Sequence, residues 1–224
     1  MDRQVDGLIF AAMRAREVFV PDIAISIPVV MLNGTSARFP VSVLPDEYQG
    51  GRDAVRLLAE AGNIADLVLL GHNAEEEAGL FRSESIARRF AGIRDEMAAR
   101  GLSFMAELSC WNWEPDQGYE LTCAMLRKRR PGAMLCLNDR LAFGAYQALA
   151  EAGLVIPNDV ALVSFDNDEL ASYLRPGLTT IALPHEEMGR TAVDLLLNPA
   201  ATSGATLTMP TIWRGSVRSP STAN

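Results

Sequence analysis

A chain of 224 residues can bury a large core as one large or two small domains, and 49% hydrophobic with 21% charged residues fits a globular protein. A net charge of −8 argues against a free-standing DNA-binding domain, which is usually basic because phosphate contacts supply most non-specific affinity. No apolar run is long enough to span a bilayer, and the chain does not open on the basic and apolar regions of a signal peptide, so the expectation is a cytoplasmic protein without membrane contact.

In chain order, residues 5–12 read as a buried strand, and 14–25 as a weak helix interrupted by Pro21. Residues 28–32 form a strand stopped by Asn33-Gly34. Residues 41–44 form another, ending at Pro45-Asp46. Helical period runs through 47–61 and stops at Gly62. A strand at 67–70 precedes Gly71-His72-Asn73. The long amphipathic helix 83–100 sets Ile86, Phe90, Ile93 and Met97 on one face. A strand at 104–108, a loop at 111–116 and a helix at 119–130 follow. That helix ends in Arg127-Lys128-Arg129-Arg130, read as a solvated terminus whose cations complement the helix dipole. The last clear elements are a helix at 186–197 and a strand at 211–217, with a loose polar tail from Arg218. Alternating strands and helices predict parallel sheets with helices on both faces.

Chemistry-bearing sets are sparse. The three cysteines, Cys110, Cys123 and Cys136, lack metal-ligand spacing and fit small core residues in a reducing compartment. Neither His72 nor His185 has a metal-ligand partner at useful spacing, and no Walker loop, G-x-S-x-G elbow or G-x-G-x-x-G is present. No catalysis, metal or cofactor is expected.

The informative stretch is 133–183. Apolar strands at 133–137 and 160–165 are joined by a helix over 141–152, with Asp139 as a suitable N-cap and Gly153 as the stop. The strands end in Asn138-Asp139 and Asp166-Asn167-Asp168. In a parallel sheet such clusters lie at the carboxyl ends, where these sheets bind ligands. Asn138 and Asp166 are therefore candidate hydrogen-bonding groups. A turn residue and a loop or helix cap are their plainer roles.

Asn138-Asp139, Ala142, Gly144-Ala145, Gly153, Pro157, Asp159-Val160, Val163-Ser164-Phe165-Asp166, Pro176 and Leu178-Thr179-Thr180-Ile181 stand at spacings that resemble the effector-binding domain of the lactose/galactose repressor (LacI/GalR) family. Pro184, Glu187-Met188-Gly189 and Ala192 continue the pattern. The resemblance implies a periplasmic-binding-protein-like α/β fold with two parallel-sheet lobes, a ligand cleft between them and three chain crossings. The amino-terminal lobe would hold 1–62 plus 184–209, and the carboxy-terminal lobe 63–183 plus 210–224. It implies ligand contacts from Asn138, Asp166, Arg89 on the long helix, Trp113 with Trp111 as its competitor, and Asp46, which also suits a helix N-cap. Arg82 and Arg88 would be surface residues. Leu183 stands where the family is often polar, which leaves the ligand class open.

The implied function is binding a small effector, expected to be a sugar or derivative, in a homodimer. Operator DNA would be reached only through a helix-turn-helix headpiece outside this chain. The alternative is a transporter-associated sugar-binding protein of the same fold. Because residues 3–9 match where the family's third strand begins, the first lobe is expected to be incomplete, with 5–12 left as an apolar edge.

Overall fold

The computed structural model describes residues 5–12, 17–19, 25–61, 64, 66–79, 82–198, 200 and 202–218. In chain order its elements are β1 (Leu8–Ala11), β2 (Val29–Leu32), β3 (Ser42–Pro45), α1 (Glu47–Glu60), β4 (Leu67–His72), α2 (Ala74–Glu77), α3 (Glu84–Ala99), β5 (Ala106–Ser109), α4 (Pro115–Leu126), β6 (Ala133–Cys136), α5 (Asp139–Glu151), β7 (Ala161–Asp166), α6 (Leu170–Tyr173), β8 (Thr179–Ala182), α7 (His185–Leu197), β9 (Ala205–Leu207) and β10 (Thr211–Ile212).

Two sheets result. The larger runs β10-β8-β7-β6-β4-β5 and is parallel except for β10. Side chains alternate across it. Leu67, Leu69, Leu135, Val163 and Phe165 face one core with α1 and α3. Val68, Leu70, Met134, Cys136 and Leu162 face a second core under α4 and α5. With both faces dry, the strands read as unbroken apolar runs, and each large side chain buried contributes about 1.5–3 kcal/mol. The smaller sheet runs β1-β2-β3-β9, all parallel, and packs Val30 and Val43 on Met188 and Ala192 of α7.

The chain passes between the sheets three times: at Asp46 after β3, at Leu183-Pro184 after β8, and between β9 and β10. The crossings are stitched to one another and to β7. Asp46 N–H donates to the Leu207 carbonyl (2.7 Å), Ala182 N–H to Pro210 (2.8 Å) and Leu183 N–H to Asp166 (3.3 Å).

Glycines let the helices above the large sheet touch backbone to backbone. A Cβ on Gly51 would lie 2.3 Å from the Arg89 carbonyl oxygen, and one on Gly92 would lie 1.9 Å from that of Tyr48. Gly118 and Gly144 make the same kind of contact between α4 and α5.

Several sequence expectations need amendment. Residues 47–61 were expected with the amino-terminal lobe, but α1 packs on α3, β6, β7 and β8 of the large sheet, so the first crossing falls at Asp46 rather than near Gly62. The strand at 5–12 forms, yet it is not buried: β1 is an edge strand whose Leu8 and Phe10 are 38% and 40% exposed. The expected helix at 14–25 falls mostly outside the described residues, and Glu17 makes a parallel bridge to Thr35. Helix α4 starts at Pro115, because a proline has no N–H to lose in the first turn, and it ends before the exposed basic run. The last strand pairs only over Thr211 and Ile212. The four-residue helices α2 and α6 and the three-residue β9 were not predicted.

Candidate functional site

Four of the five expected ligand residues meet at the carboxyl ends of β4, β6 and β7. Asn138 follows β6 and caps α5, correcting the expected N-cap by one residue: its Oδ1 accepts the Leu141 N–H at 2.8 Å, while its Nδ2 donates to the Trp113 carbonyl at 3.1 Å. Trp113 in turn donates its indole N–H to the Gly71 carbonyl at the end of β4 (3.0 Å), so the ring is anchored to the strand end. Trp111 is 52% exposed. Asp139 becomes the first residue of α5 and is buried. Its carboxylate accepts the Ser164 hydroxyl and the Asp168 N–H, tying the end of β6 to the loop after β7.

Arg89 lies on α3, buried beneath these strand ends. Its Nε and Nη2 donate to both carboxylate oxygens of Glu47 at 2.7 and 3.0 Å, and its Nη1 donates to the Leu137 carbonyl at 2.7 Å. The guanidinium also stacks 4.1 Å over the Phe165 ring and stands 3.9 Å from the Asp166 carboxylate. Burial opposes its charge, but the Glu47, Asp166 and Asp139 carboxylates hold its pKa above the ordinary value. Arg82 and Arg88 are exposed, as expected.

Asp166 ends β7 with φ +102°, and Asn167 follows at φ +60°. Two successive non-glycine residues in that region cost of order 1–3 kcal/mol each and persist only where neighbours over-determine the backbone. They are held. Arg214 donates to the Asn167 side-chain oxygen (2.8 Å) and the Leu178 carbonyl (3.0 Å), and Asn167 N–H reaches the Thr180 hydroxyl (3.3 Å).

Burial pushes the Asp166 carboxyl up from 3.8 to about 7. Arg89 pulls it down, while Asp139, Glu47 and Asp168 push it further up. The sign for stability follows. The folded state favours the protonated acid more than the unfolded chain does, so this contribution is full below about pH 4 and is lost as pH rises through about 7. A third of the side chain is exposed, so water screens part of the effect. Thermal melts from pH 5 to 8 are expected to show a declining Tm that Asp166→Asn flattens. An equal slope in both proteins would remove this role.

Asp46 stands at the first crossing. Its carboxylate accepts the Gln49 N–H at 3.1 Å, so the N-cap role is realised, and it remains partly exposed. Leu183 lines a recess of about 250 Å³ with Ala11, Ala12, Leu32, Asn33, His185 and Met188, at the carboxyl ends of β1 and β2. Sequence reasoning missed Glu47, the partner of Arg89, and Arg214, which holds the Asp166 turn. An acid in a first helical turn reads as a dipole partner, and neither contact leaves a local signal.

A family profile described as "periplasmic binding protein-like domain" matches residues 55–217. The HTH-type transcriptional repressor PurR of Erwinia tasmaniensis is 32% identical over 207 residues, covering 88% of this chain and 57% of the repressor. The chain thus spans a little over half the length of that curated relative. Among solved structures, a LacI family transcriptional regulator from Enterococcus faecium with bound ribose superposes with TM-score 0.72 at 28% identity, covering 86% of this chain and 71% of the other. A lac repressor dimer bound to operator and the anti-inducer ONPF superposes with TM-score 0.72 at 28% identity, covering 87% and 66%.

Proposed function

The chain belongs to the periplasmic binding protein-like family, and on that premise we propose that it is the effector-binding part of a LacI/GalR-type transcription regulator. It takes a sugar or sugar derivative at the strand ends between its two sheets, as a homodimer in the cytoplasm. It binds without catalysis. The observation that carries this reading is the convergence of Asn138, Trp113, Asp166 and Arg89 at adjacent carboxyl ends of one parallel sheet. The relatives named as repressors favour a regulator over a transporter-associated binding protein.

Asp166 accepts hydrogen bonds from ligand hydroxyls, Asn138 serves as donor, and the Trp113 ring offers a flat apolar surface to a sugar's C–H face. Asp46 reaches the ligand from the crossing between the sheets. A ligand touching both sides favours one relative orientation of the lobes. In a dimer that orientation sets how DNA-binding headpieces are presented to operator DNA.

A thermal-shift screen with sugars, polyols, nucleosides and sugar phosphates identifies the ligand, because binding to the native state raises its stability. Calorimetry with that ligand is expected to show Asp166→Ala binding more weakly by about 1–3 kcal/mol, as loss of charge-assisted hydrogen bonds implies. Undiminished affinity would place the site elsewhere.

A further inference from the structure

At the edge of the large sheet formed by β5, we propose a docking groove for an extended acidic segment of a partner protein. The segment adds to β5 as one more strand and sets apolar side chains between β5 and α4. This surface is separate from the strand-end site, and the proposal does not depend on the effector reading.

Strand β5 ends the order β10-β8-β7-β6-β4-β5. One side of it pairs with β4, and among the described residues no strand takes the other. The backbone donors and acceptors of such an edge are a template for a further strand. Its side chains alternate. Glu107 and Ser109 are exposed, while Ala106 and Leu108 turn to the core under α4 and are half-buried there. Helix α4 packs chiefly on α5 and does not close over them. A recess of about 240 Å³ is left at the sheet's edge. Its other wall is a helical stripe of Leu121, Ala124 and Met125, continued one turn on by Lys128. Helix α4 runs back against its parallel strands, so the recess lies toward their amino ends, opposite the strand-end site.

Charge selects the occupant. The run Arg127-Lys128-Arg129-Arg130 at the rim is exposed, on a chain whose net charge is −8. Arg129 stands 3.6 Å from Asp66 with both side chains more than half exposed, and an exposed pair of this kind is worth only about 0–1 kcal/mol. Among the described residues, Arg127, Lys128 and Arg130 form no ion pair. Glu107 points to the other face of β5, where its carboxylate meets His72 at 3.0 Å. The rim therefore keeps its positive charge, while the rest of the chain is net negative and steers an acidic partner to it. A small amphiphilic anion would use the cations and the recess but leave the backbone edge unpaired. A second copy joined β5 to β5 about a twofold would set both basic runs on one face of the joined sheet, like charge beside like. An extended acidic segment with alternate apolar side chains uses the edge, the recess and the cations together.

The test titrates the unaltered chain into fluorescein-labelled seven-residue peptides that alternate glutamate with valine, leucine or phenylalanine, and reads anisotropy. At least one is expected to bind saturably with Kd at or below roughly 1 mM, and the same peptides with lysine for glutamate are expected not to bind. Charge reversal in Lys128→Glu/Arg129→Glu should weaken binding roughly tenfold or more, and Ala124→Glu, which fills the recess, should abolish it. Two further peptides carry backbone N-methyl groups, one at every apolar position and one at every glutamate. At least one of them should lose binding, because alternate residues of an added strand turn their N–H groups to the edge. Binding by both overturns strand addition, and equal binding of the lysine peptides overturns the charge argument. No saturable binding by any acidic peptide overturns the proposal. In that event a saturable Tm rise with sodium decanoate would assign the recess to a small amphiphile, and a dimer that Ala124→Glu dissociates in sedimentation would assign it to a second copy. If a variant does not fold, the lysine and N-methylated peptides decide the question on the unaltered chain.

Discussion

Arg89→Ala is expected to cost the fold about 3–5 kcal/mol, because it removes one partner of a buried pair and leaves the Glu47 carboxylate uncompensated in a dry environment. Arg89 and Glu47 are 4% and 3% exposed, so water cannot replace the lost donors without opening the α1–α3 contact. The Leu137 carbonyl loses its Arg89 donor, and the Phe165 ring loses the cation above it. Urea denaturation should show a lower midpoint with an unchanged slope, the signature of lost stability rather than a changed unfolded state. The double variant Glu47→Leu/Arg89→Met is expected to recover most of the loss, since apolar replacement of a whole buried pair is often neutral or better. A single-variant loss below about 1 kcal/mol, the range of exposed pairs, would mean that the pair is solvated. Any weakening of ligand binding by Arg89→Ala must therefore be separated from this loss of stability. Asp166 is the cleaner probe of the site, since its side chain is one-third exposed.

The layered α/β architecture was legible because both faces of the large sheet are dry. Strands such as Ala133–Cys136 and Ala161–Asp166 then have no polar alternation to blur them, and Gly153 at φ +70° punctuates α5 as its sequence position implied. The positions of Asn138 and Asp166 at the strand ends were legible for the same reason: each directly follows a largely apolar run. The burial of Arg89 was not. A charged residue on an amphipathic helix reads as exposed unless its partner is known, and Glu47 lies 42 residues away on another helix. The Asn138 cap was displaced to Asp139 because either residue suits an N-cap. The choice was made in space, where Ser164 and Asp168 claim the Asp139 carboxylate. The short helices α2 and α6 hold about one turn each, too little for a 3.6-residue period to register. Grouping α1 with the amino-terminal lobe followed the family resemblance, whereas Ala54, Val55 and Leu58 bury themselves in the other lobe's core.

Gly92→Ala is expected to be strongly disruptive, although it adds a single methyl group. The new Cβ would stand 1.9 Å from the Tyr48 carbonyl oxygen and 2.8 Å from its carbon, and backbone atoms cannot rotate aside as a side chain can. Helix α1 must therefore move away from α3 by an ångström or so. Overpacking of this kind costs typically about 1–3 kcal/mol by itself. Here the displaced residue is the neighbour of Glu47, whose bonds to Arg89 at 2.7 and 3.0 Å cannot stretch that far and survive. The total is thus expected to exceed about 3 kcal/mol, and the pair that fills the guanidinium edge loosens with it. Gly189→Ala is the matched control. It lies inside α7 with nothing within 4 Å of its added Cβ, so the methyl group only restricts the unfolded chain and should stabilise by about 0.5–1 kcal/mol. Thermal and urea melts of the two variants should shift in opposite directions. A Gly92→Ala protein as stable as the parent would show that α1 and α3 do not touch at Tyr48, and the buried Arg89–Glu47 geometry built on that contact would fall with it.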